Sequence, residues 1–148
     1  MGKRIEPRIT PASVFAPMRM PAKRSYAGMR ADLGIYVRSR WEANIARYLN
    51  WLQSRGEIAK WAYEADTFWF TDIKRGARSY TPDFKIWETD ESEPYYWEVK
   101  GYMDQKSKTK LKRMAKRYPD VRVVLIERDA YQAVAKWSRL IPGWEDER

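Results

Sequence analysis

The stretch that decides the fold is "RSYTPDFKIWETDESEPYYWEVKGY", residues 78–102. Its two segments rich in aromatic and β-branched residues, 80–87 and 95–100, have the composition of strands. The acidic segment between them, 88–94, has the Asp, Ser and Pro content of a loop. We therefore predict that the two strands pair with each other through this loop.

Three charged side chains lie within these predicted strands. Glu98 and Lys100 are two residues apart, so they lie on the same face of the second strand. Asp83 is predicted in mid-strand directly after Pro82, which cannot donate a ladder hydrogen bond and favours an edge or a bulge. If the strands pair through the acidic loop, the carboxylates of Asp83 and Glu98 meet at one end of the sheet.

Composition limits the chemistry that such a site can perform. The chain has 148 residues with no Cys and no His, which excludes disulfides, thiolate nucleophiles, His general bases and His- or Cys-ligated zinc. Two carboxylates at close range repel unless a cation or a proton lies between them. Oxygen ligands suit a hard cation, so we predict one or two Mg²⁺ ions per site, with Mn²⁺ as a substitute.

Such an ion suits phosphodiester hydrolysis. It would lower the pKa of a bound water, stabilise the oxyanion and support the leaving 3′ oxygen. Lys100 beside the ion would orient the water or offset phosphate charge. The pattern P-D…E-x-K is short, however, and ordinary interpretations remain open, because Pro-Asp often marks a turn and Glu-x-Lys is often an exposed cross-strand pair.

The charge of the chain indicates the kind of partner. The formal net charge is +9 and the sequence pI is ≈ 9.7, which favours a polyanion, nucleic acid ahead of membrane lipid. No apolar segment approaches the roughly 18 residues that suggest a membrane span, and no signal-peptide core follows the basic start. We expect a soluble, cytoplasmic protein that binds DNA and no membrane.

The pattern along the chain predicts one α/β domain over residues 38–148, with the element order α-β-β-β-β-α-β-α. The predicted elements are, in chain order, a helix 39–55, strands 58–65, 66–72, 80–87 and 95–100, a helix 104–118, a central strand 121–127 and a helix 130–137. Aromatic residues that alternate along these strands are expected to fill the core. They are Trp61, Tyr63, Trp69, Tyr95 and Trp97.

Residues 1–37 differ from the rest of the chain. They contain four prolines and no clean periodicity, and seven basic residues lie between Lys3 and Arg30 against one acid, Glu6. Two compatible interpretations remain open, a poorly ordered tail or a basic arm that orders on phosphates when DNA binds.

Glu42 lies in the first predicted helix, on or beside its apolar face. A lone carboxylate there is costly unless it has a partner. One interpretation is a half-exposed Glu paired with Arg38 or Arg47. The other is a third acidic ligand that the helix delivers to the metal site of Asp83 and Glu98.

The second predicted helix, 104–118, is strongly basic, with seven Lys or Arg residues. This helix is either a solvated charged face or, as its one-sided sign favours, a phosphate-binding surface. The residues that we predict to bind DNA are Arg38, Arg40, Lys106, Lys108, Lys110, Lys112 and Arg113.

Taken together, these residues resemble the PD-(D/E)xK nuclease superfamily, in particular the phage endonuclease I type of Holliday-junction-resolving enzyme. The similarity runs from about residue 37 to residue 127 and continues near the end of the chain. The motifs that carry it are "RSRWE" (38–42), "YTPDF" (80–84), "WEVKG" (97–101), "RYPD" (117–120), "VRVVLIE" (121–127) and "LIPGWE" (140–145).

The resemblance implies a restriction-endonuclease-like core, a mixed central sheet flanked by helices. It implies Glu42, Asp83 and Glu98 as metal ligands, and we add the backbone carbonyl of Val99 to this set. Lys100 would be the catalytic lysine of a Mg²⁺-dependent enzyme that cuts branched DNA as a homodimer. The alternatives are a nickase, a nuclease for linear duplex or transposon ends, and a basic DNA-binding module without activity.

Overall fold

The computed structural model describes residues 26–147. In this range the chain is a mixed α/β protein, as the sequence predicts, with three α-helices and a four-stranded mixed sheet. The strands are β1 (Gly28–Arg30), β2 (Ile35–Val37), β3 (Lys60–Tyr63), β4 (Phe68–Trp69), β5 (Ser79–Tyr80), β6 (Phe84–Trp87), β7 (Tyr95–Val99) and β8 (Val123–Ile126). The helices are α1 (Arg40–Ser54), α2 (Gln105–Arg117) and α3 (Arg128–Ala135), followed by a 3-10 helix at Ser138–Leu140.

The four-stranded sheet has the order β3-β6-β7-β8. β6 pairs antiparallel with both β3 and β7, and Phe84 lies opposite Trp97. The predicted pairing through the loop 88–94 is therefore confirmed. β7 and β8 are parallel, and α2 makes the crossover between them, as parallel neighbours require.

Two apolar clusters cover the two faces of this sheet. On one face, α1 and α3 pack on alternate residues of the strands, among them Trp97 and Val99. On the other face, Leu111 and Met114 of α2 pack with Phe70 and Leu125. Glu98 and Lys100 alternate with Trp97 and Val99, so their side chains leave β7 on the α2 side.

The segment 121–127 was predicted to be a central strand, and its structure corrects this. In the described part of the chain, β8 lies at the end of the four-stranded sheet. It is apolar throughout because both of its faces are covered. Val124 and Ile126 pack with α1 and α3, whereas Leu125 packs with α2.

The first helix begins where the sequence predicts. Ser39 is the N-cap, and its Oγ accepts a hydrogen bond of 3.1 Å from the backbone N–H of Glu42, which satisfies one of the free donors of the first turn. Gly56 follows the helix with a φ of 71°, a left-handed conformation that glycine adopts without strain. The cap fixes the position of Glu42 in the first turn.

The folded region begins before the boundary expected at residue 37. β1 and β2 form an antiparallel hairpin, and Val37 is fully buried. Arg30 binds the carboxylate of Glu145 with an Nε–Oε2 distance of 2.7 Å. Most of the predicted basic arm, residues 1–25, lies outside the described residues.

The last described residues return to the middle of α1. The backbone N–H of Glu145 donates to Oδ1 of Asn44, and Nδ2 of Asn44 donates to the carbonyl of Glu145, both at 2.8 Å. Arg47 joins the same contact, since it binds Glu145 at 2.6 Å and Asp32 at 2.8 Å. The ion pairs of Arg47 with Asp32 and Glu145 therefore connect both ends of the described chain to α1.

Two predicted strands are shorter than expected or broken. The segment 80–87 is divided into β5 and β6 by Thr81, Pro82 and Asp83, so Asp83 lies just before a strand and not within one. The segment 66–72 keeps only β4. The prediction that Trp69 fills the core is wrong, because 62% of its surface is exposed.

None of the helices in residues 26–147 is long and apolar enough to cross a membrane.

Candidate functional site

A polar cavity of about 430 Å³ opens at the carboxyl end of β7, on the α2 side of the sheet. Four acidic residues line it, together with three basic residues. The acids are Glu42, Glu64, Asp83 and Glu98, and the bases are Arg38, Lys100 and Lys110. The structure thus brings the four predicted catalytic residues to one cavity, with Val99, Arg38 and Lys110 of the other predicted site residues.

Asp83 and Glu98 are adjacent because β6 and β7 pair. The backbone N–H of Asp83 donates to Oε2 of Glu98 at 3.2 Å, and the N–H of Val99 donates to Oδ2 of Asp83 at 2.8 Å. Both residues are buried. Hydrogen bonds from the backbone thus fix one oxygen of each carboxylate, which holds the pair side by side.

Burial raises the pKa of both carboxyl groups. The pKa of Asp83 lies well above its usual value, first because of burial and then because of the charges of Glu98 and Glu42. Burial also raises the pKa of Glu98, although Lys100 and the hydroxyl of Tyr80 oppose this. When both carboxyl groups are ionised, they therefore destabilise the folded state unless a cation lies between or beside them.

Glu42 reaches the same cavity from α1, and its surroundings bear on the first of its two interpretations, the surface ion pair. Its Oε2 accepts a hydrogen bond of 2.7 Å from the hydroxyl of Tyr63 and one of 3.3 Å from the backbone N–H of Arg38. The side chain of Arg38 instead binds Glu64, and that of Arg47 binds Asp32 and Glu145. Glu42 is buried, so the half-exposed surface ion pair is not what forms.

Lys100 lies directly after β7 and turns toward Glu98. Its Nζ is 3.4 Å from Oε1 of Glu98, and the side chain is 27% exposed. The backbone N–H of Lys100 donates to the carbonyl of Ile126 at 3.0 Å, which extends the parallel pairing by one residue. The ammonium group is therefore held beside the carboxylate pair and still reaches solvent.

Two tyrosines support the acids, a role that sequence reasoning missed. The hydroxyl of Tyr80 donates to Oε2 of Glu98 at 2.8 Å, and Tyr63 binds Glu42 as described above. Burial, followed by the neighbouring carboxylate, raises the pKa of each phenol, so both stay protonated donors. In the sequence both residues look like ordinary core aromatics. A strand pattern does not reveal a hydrogen-bond partner on a distant element.

Glu64 is a further cavity residue that the sequence did not predict. It directly follows β3 with a φ of 48°, a left-handed conformation that is uncommon for a residue other than glycine. Its backbone N–H donates to the carbonyl of Asp83 at 2.8 Å, and its carboxylate pairs with Arg38. The unusual conformation is therefore located at the cavity, where such strain often has a function.

The basic residues of α2 have different surroundings. Lys110 lines the cavity, and its pKa is lowered by burial and then by the charges of Lys106 and Lys100. Arg113 instead donates to the backbone carbonyl of Ala77. The remaining predicted DNA-binding residues of α2 lie outside the cavity lining, namely Lys106, Lys108 and Lys112.

Arg40 lies apart from this group. It lines a second cavity, of about 630 Å³, with Trp41 and Tyr102 among its neighbours. Its guanidinium carbon lies 4.0 Å from the centre of the Tyr26 ring, and its Nε is buried without a hydrogen-bond partner among the described residues. Arg38 and Arg40, both predicted to bind DNA, therefore line different cavities.

The donor set suits a hard cation but does not enclose one. In residues 26–147, no three Asp, Glu, His or Cys side chains are grouped closely enough to hold a metal ion. Asp83 and Glu98 adjoin each other, whereas Glu42 is tied to Tyr63. Mg²⁺ commonly takes one or two carboxylates and keeps several waters, so the adjacent pair is a chemically adequate set of ligands, and Val99 lines the same cavity.

The comparisons leave the function to be inferred from the cavity. No protein-family model matches the chain, and no curated protein and no solved structure matches it. What the molecule itself offers is three buried carboxylates and two lysines, Lys100 and Lys110, that come from separate elements of the fold. Groups of this kind can bind a divalent cation and a phosphate at one place.

Proposed function

We propose that the protein is a Mg²⁺-dependent DNA endonuclease of the PD-(D/E)xK type, with a restriction-endonuclease-like core, that cuts branched DNA. One observation carries the proposal: Glu42 of α1 lines one polar cavity with Asp83, Glu98 and Lys100 of the β6–β7 region. Three buried acids are costly unless they serve a charged ligand.

In this proposal Asp83 and Glu98 hold the ion, aided by the carbonyl of Val99. Glu42 would add a third carboxylate to this set of ligands. A bound Mg²⁺ would lower the pKa of a water molecule and offset the negative charge that develops on the phosphate. The water molecule attacks phosphorus and releases a proton to solvent as the bond to the 3′ oxygen breaks, and the leaving oxygen takes up a proton from solvent.

Lys100 is assigned the role of orienting the water and offsetting phosphate charge. Its Nζ lies beside Oε1 of Glu98 and still reaches solvent, so it faces both the ion ligands and an incoming phosphate. Lys110 approaches the same cavity from α2. Two ammonium groups beside a carboxylate pair form a site in which a phosphodiester is bound and its developing charge is stabilised.

The charge of the whole chain supports DNA as the substrate. A net charge of +9 favours a polyanion, and exposed basic residues of α2 extend from the cavity as a surface for the phosphate backbone. We further propose that the enzyme acts as a homodimer, since cutting a junction requires two cavities. Sedimentation or light scattering with and without a four-way junction tests that part independently.

The direct test is cleavage of a labelled four-way junction and of a linear duplex with the same arms. We expect nicks near the branch point in Mg²⁺ or Mn²⁺, none in EDTA, and slower or no cutting of the duplex. Glu42→Gln is expected to fold, to bind the junction and to lose cleavage at ordinary Mg²⁺ concentrations, as a ligand to the ion or its water would.

The matched control is Glu57→Gln, which removes a carboxylate whose ion pair with Arg55 lies at the surface. It should cut like the wild type. Equal cutting of both DNAs would replace junction resolution by a general duplex nuclease. Wild-type activity in Glu42→Gln would remove Glu42 from the site, and absence of any Mg²⁺-dependent cleavage would refute the nuclease.

A further inference from the structure

Trp69 is the most exposed tryptophan among residues 26–147, with 62% of its surface in solvent. Its neighbours behave differently, since Phe70 is buried and Phe68 packs edge-on against Tyr96 and Tyr118. Alternation along β4 therefore directs the two phenylalanines inward and the indole outward. A large aromatic ring left in water at a defined position is a candidate contact surface.

The register of the β4–β5 hairpin places this ring beside the cavity. Trp69 lies directly opposite Ser79, and opposite residues of an antiparallel pair project from the same face at about 4.5–5.5 Å between Cβ atoms. Ser79 itself lines the cavity of Asp83 and Glu98. The exposed indole is therefore next to the rim of the candidate active site.

The hairpin is held firmly by α2 and the residue after it. The hydroxyl of Tyr118 donates to the backbone carbonyl of Trp69 at 2.7 Å. Arg117 binds Asp72 through two hydrogen bonds, of 2.7 and 2.5 Å, and Arg113 binds the carbonyl of Ala77. Contacts at β4 and at two points of the loop hold the backbone that presents the ring, and an ordered backbone loses little entropy on binding.

The second half of this hairpin's loop carries only positive charge. Lys74, Arg75 and Arg78 are exposed, and the segment 73–82 contains no acidic residue. The acid that precedes it, Asp72, is already paired with Arg117. An aromatic face bordered by exposed cations has the composition of surfaces that bind single-stranded nucleic acid, where bases stack on the ring and the cations contact phosphates.

We propose that Trp69 stacks on an unpaired DNA base next to the phosphate that is cut, while the loop 74–78 contacts the backbone of that strand. This rests on the proposed nuclease function and makes it more specific. A continuous duplex keeps its bases stacked on one another and gives the indole nothing to cover. The preferred substrate is therefore branched DNA with an unpaired base at the cleavage point, and a fully paired four-way junction would be cut where a base pair at the branch point opens.

The test compares two DNAs of equal length, a perfect duplex and one with a single unpaired 2-aminopurine, in Ca²⁺ in place of Mg²⁺ to follow binding alone. Trp69→Ala should weaken binding of the unpaired DNA about 5- to 140-fold, the range that base stacking gives. It should change duplex binding less than about 2-fold, and Trp69→Phe should restore most of the affinity. Wild-type protein should quench 2-aminopurine fluorescence, and Trp69→Ala should not.

The matched control is Trp137→Ala. Trp137 is also exposed, and it packs against Trp51 in the last turn of α1. It should bind both DNAs like the wild type. Equal affinity of Trp69→Ala for the unpaired DNA, or equally weakened binding of both DNAs, would overturn the stacking role and leave the nuclease intact. A wild-type protein that binds neither DNA would overturn the nuclease and the stacking role together.

Discussion

The carboxyl group of Asp83 is buried with two other acids close enough to raise its pKa. The folded protein therefore binds a proton there that the unfolded chain has already released. This costs stability from the unfolded-state pKa near 3.8 upward, and the cost grows as the pH rises toward the folded-state pKa. A neutral group of the same shape should remove that cost.

We expect Asp83→Asn to raise the melting temperature of metal-free protein by a few degrees at pH 8, at roughly 4 °C per kcal/mol for a domain of this size. The gain should shrink as the pH falls toward about 4. Thermal melts in EDTA across this range measure it. Asp120→Asn, which changes an exposed acid, is the control, and a variant less stable than wild type at pH 8 would contradict the electrostatic explanation.

Some site residues could be predicted from the sequence because their geometry is local. A spacing of two residues places Glu98 and Lys100 on one face of any strand, and pairing through a short loop then brings Asp83 to them. Glu64 and Tyr80 could not be found in this way. Their roles depend on a left-handed residue after β3 and on a hydroxyl that crosses from β5 to β7, and neither leaves a periodic signal.

At the scale of the element, α2 has one lysine inside the site and several outside it. We expect Lys110→Ala to lower turnover at least about 10-fold, because the cavity would keep only one of two ammonium groups that can face phosphate. Its melting temperature should be unchanged or higher, since burial and the charges of Lys106 and Lys100 already disfavour the ammonium form. Single-turnover cleavage and thermal melts test both statements.

Lys116→Ala is the control on the same helix, because Lys116 is exposed and lies outside the cavity lining. It should reduce affinity slightly, in a salt-dependent way, and leave the single-turnover rate at saturating DNA unchanged. Similar effects of the two substitutions would mean that α2 is a uniform charged surface and that Lys110 has no special position.

Arg47 connects three elements, so its removal should affect all of them. It binds Asp32 after β1 and Glu145 near the end of the chain. We expect Arg47→Met to lower the free energy of unfolding by about 2 kcal/mol, less than a fully buried pair because Asp32 is half exposed and Glu145 keeps Arg30. Chemical denaturation measures this, with Arg55→Met, at an exposed ion pair worth under about 1 kcal/mol, as the control.

The same residue controls the stability in acid. Arg47 lowers the pKa of Asp32, and for Glu145 burial acts upward but the hydrogen bonds of Arg30 and Arg47 outweigh it. Lowered folded-state values mean that this stability is present above pH 4.5 and is lost as the pH falls through the folded-state pKa values. Below pH 4.5, the free energy of unfolding should therefore fall less steeply with pH in Arg47→Met than in the wild type. An identical pH dependence in the two proteins would refute this role of Arg47.

The elements that could be predicted are those with long apolar periodicity. The first helix and the paired strands β6 and β7 are confirmed, whereas β1 and β2 were missed. Three-residue strands are too short for an alternation to show, and their pairing depends on the turn at Gly34 and on contacts with residues far along the chain. Pro82 favoured an edge or a bulge, whereas residues 81–83 interrupt the predicted strand and Asp83 lies just before β6.

At the scale of the whole molecule, the basic segment before residue 26 can be tested by removing it. Residues 1–25 carry six basic residues and one acid. A deletion that removes these residues and keeps the hairpin that begins at Gly28 should weaken DNA binding and its salt dependence. The slope of the log binding constant against log salt concentration should become shallower by about 0.9 for each phosphate that the segment neutralises. Titrations at several salt concentrations measure the slope, and an unchanged slope would leave this segment without a part in binding.

The contact between Asn44 and Glu145 joins residues 101 positions apart. At synthesis rates of about 5–20 residues per second, roughly 5–20 s pass between the appearance of the first residue and that of the second on the ribosome. During that time the middle of α1, two residues from Glu42, lacks the backbone partners that hold it in the finished protein. The contact that holds α1 against the segment around Glu145 is therefore made only after Glu145 has been synthesised, later than Asp83, Glu98 and Lys100 of the same cavity.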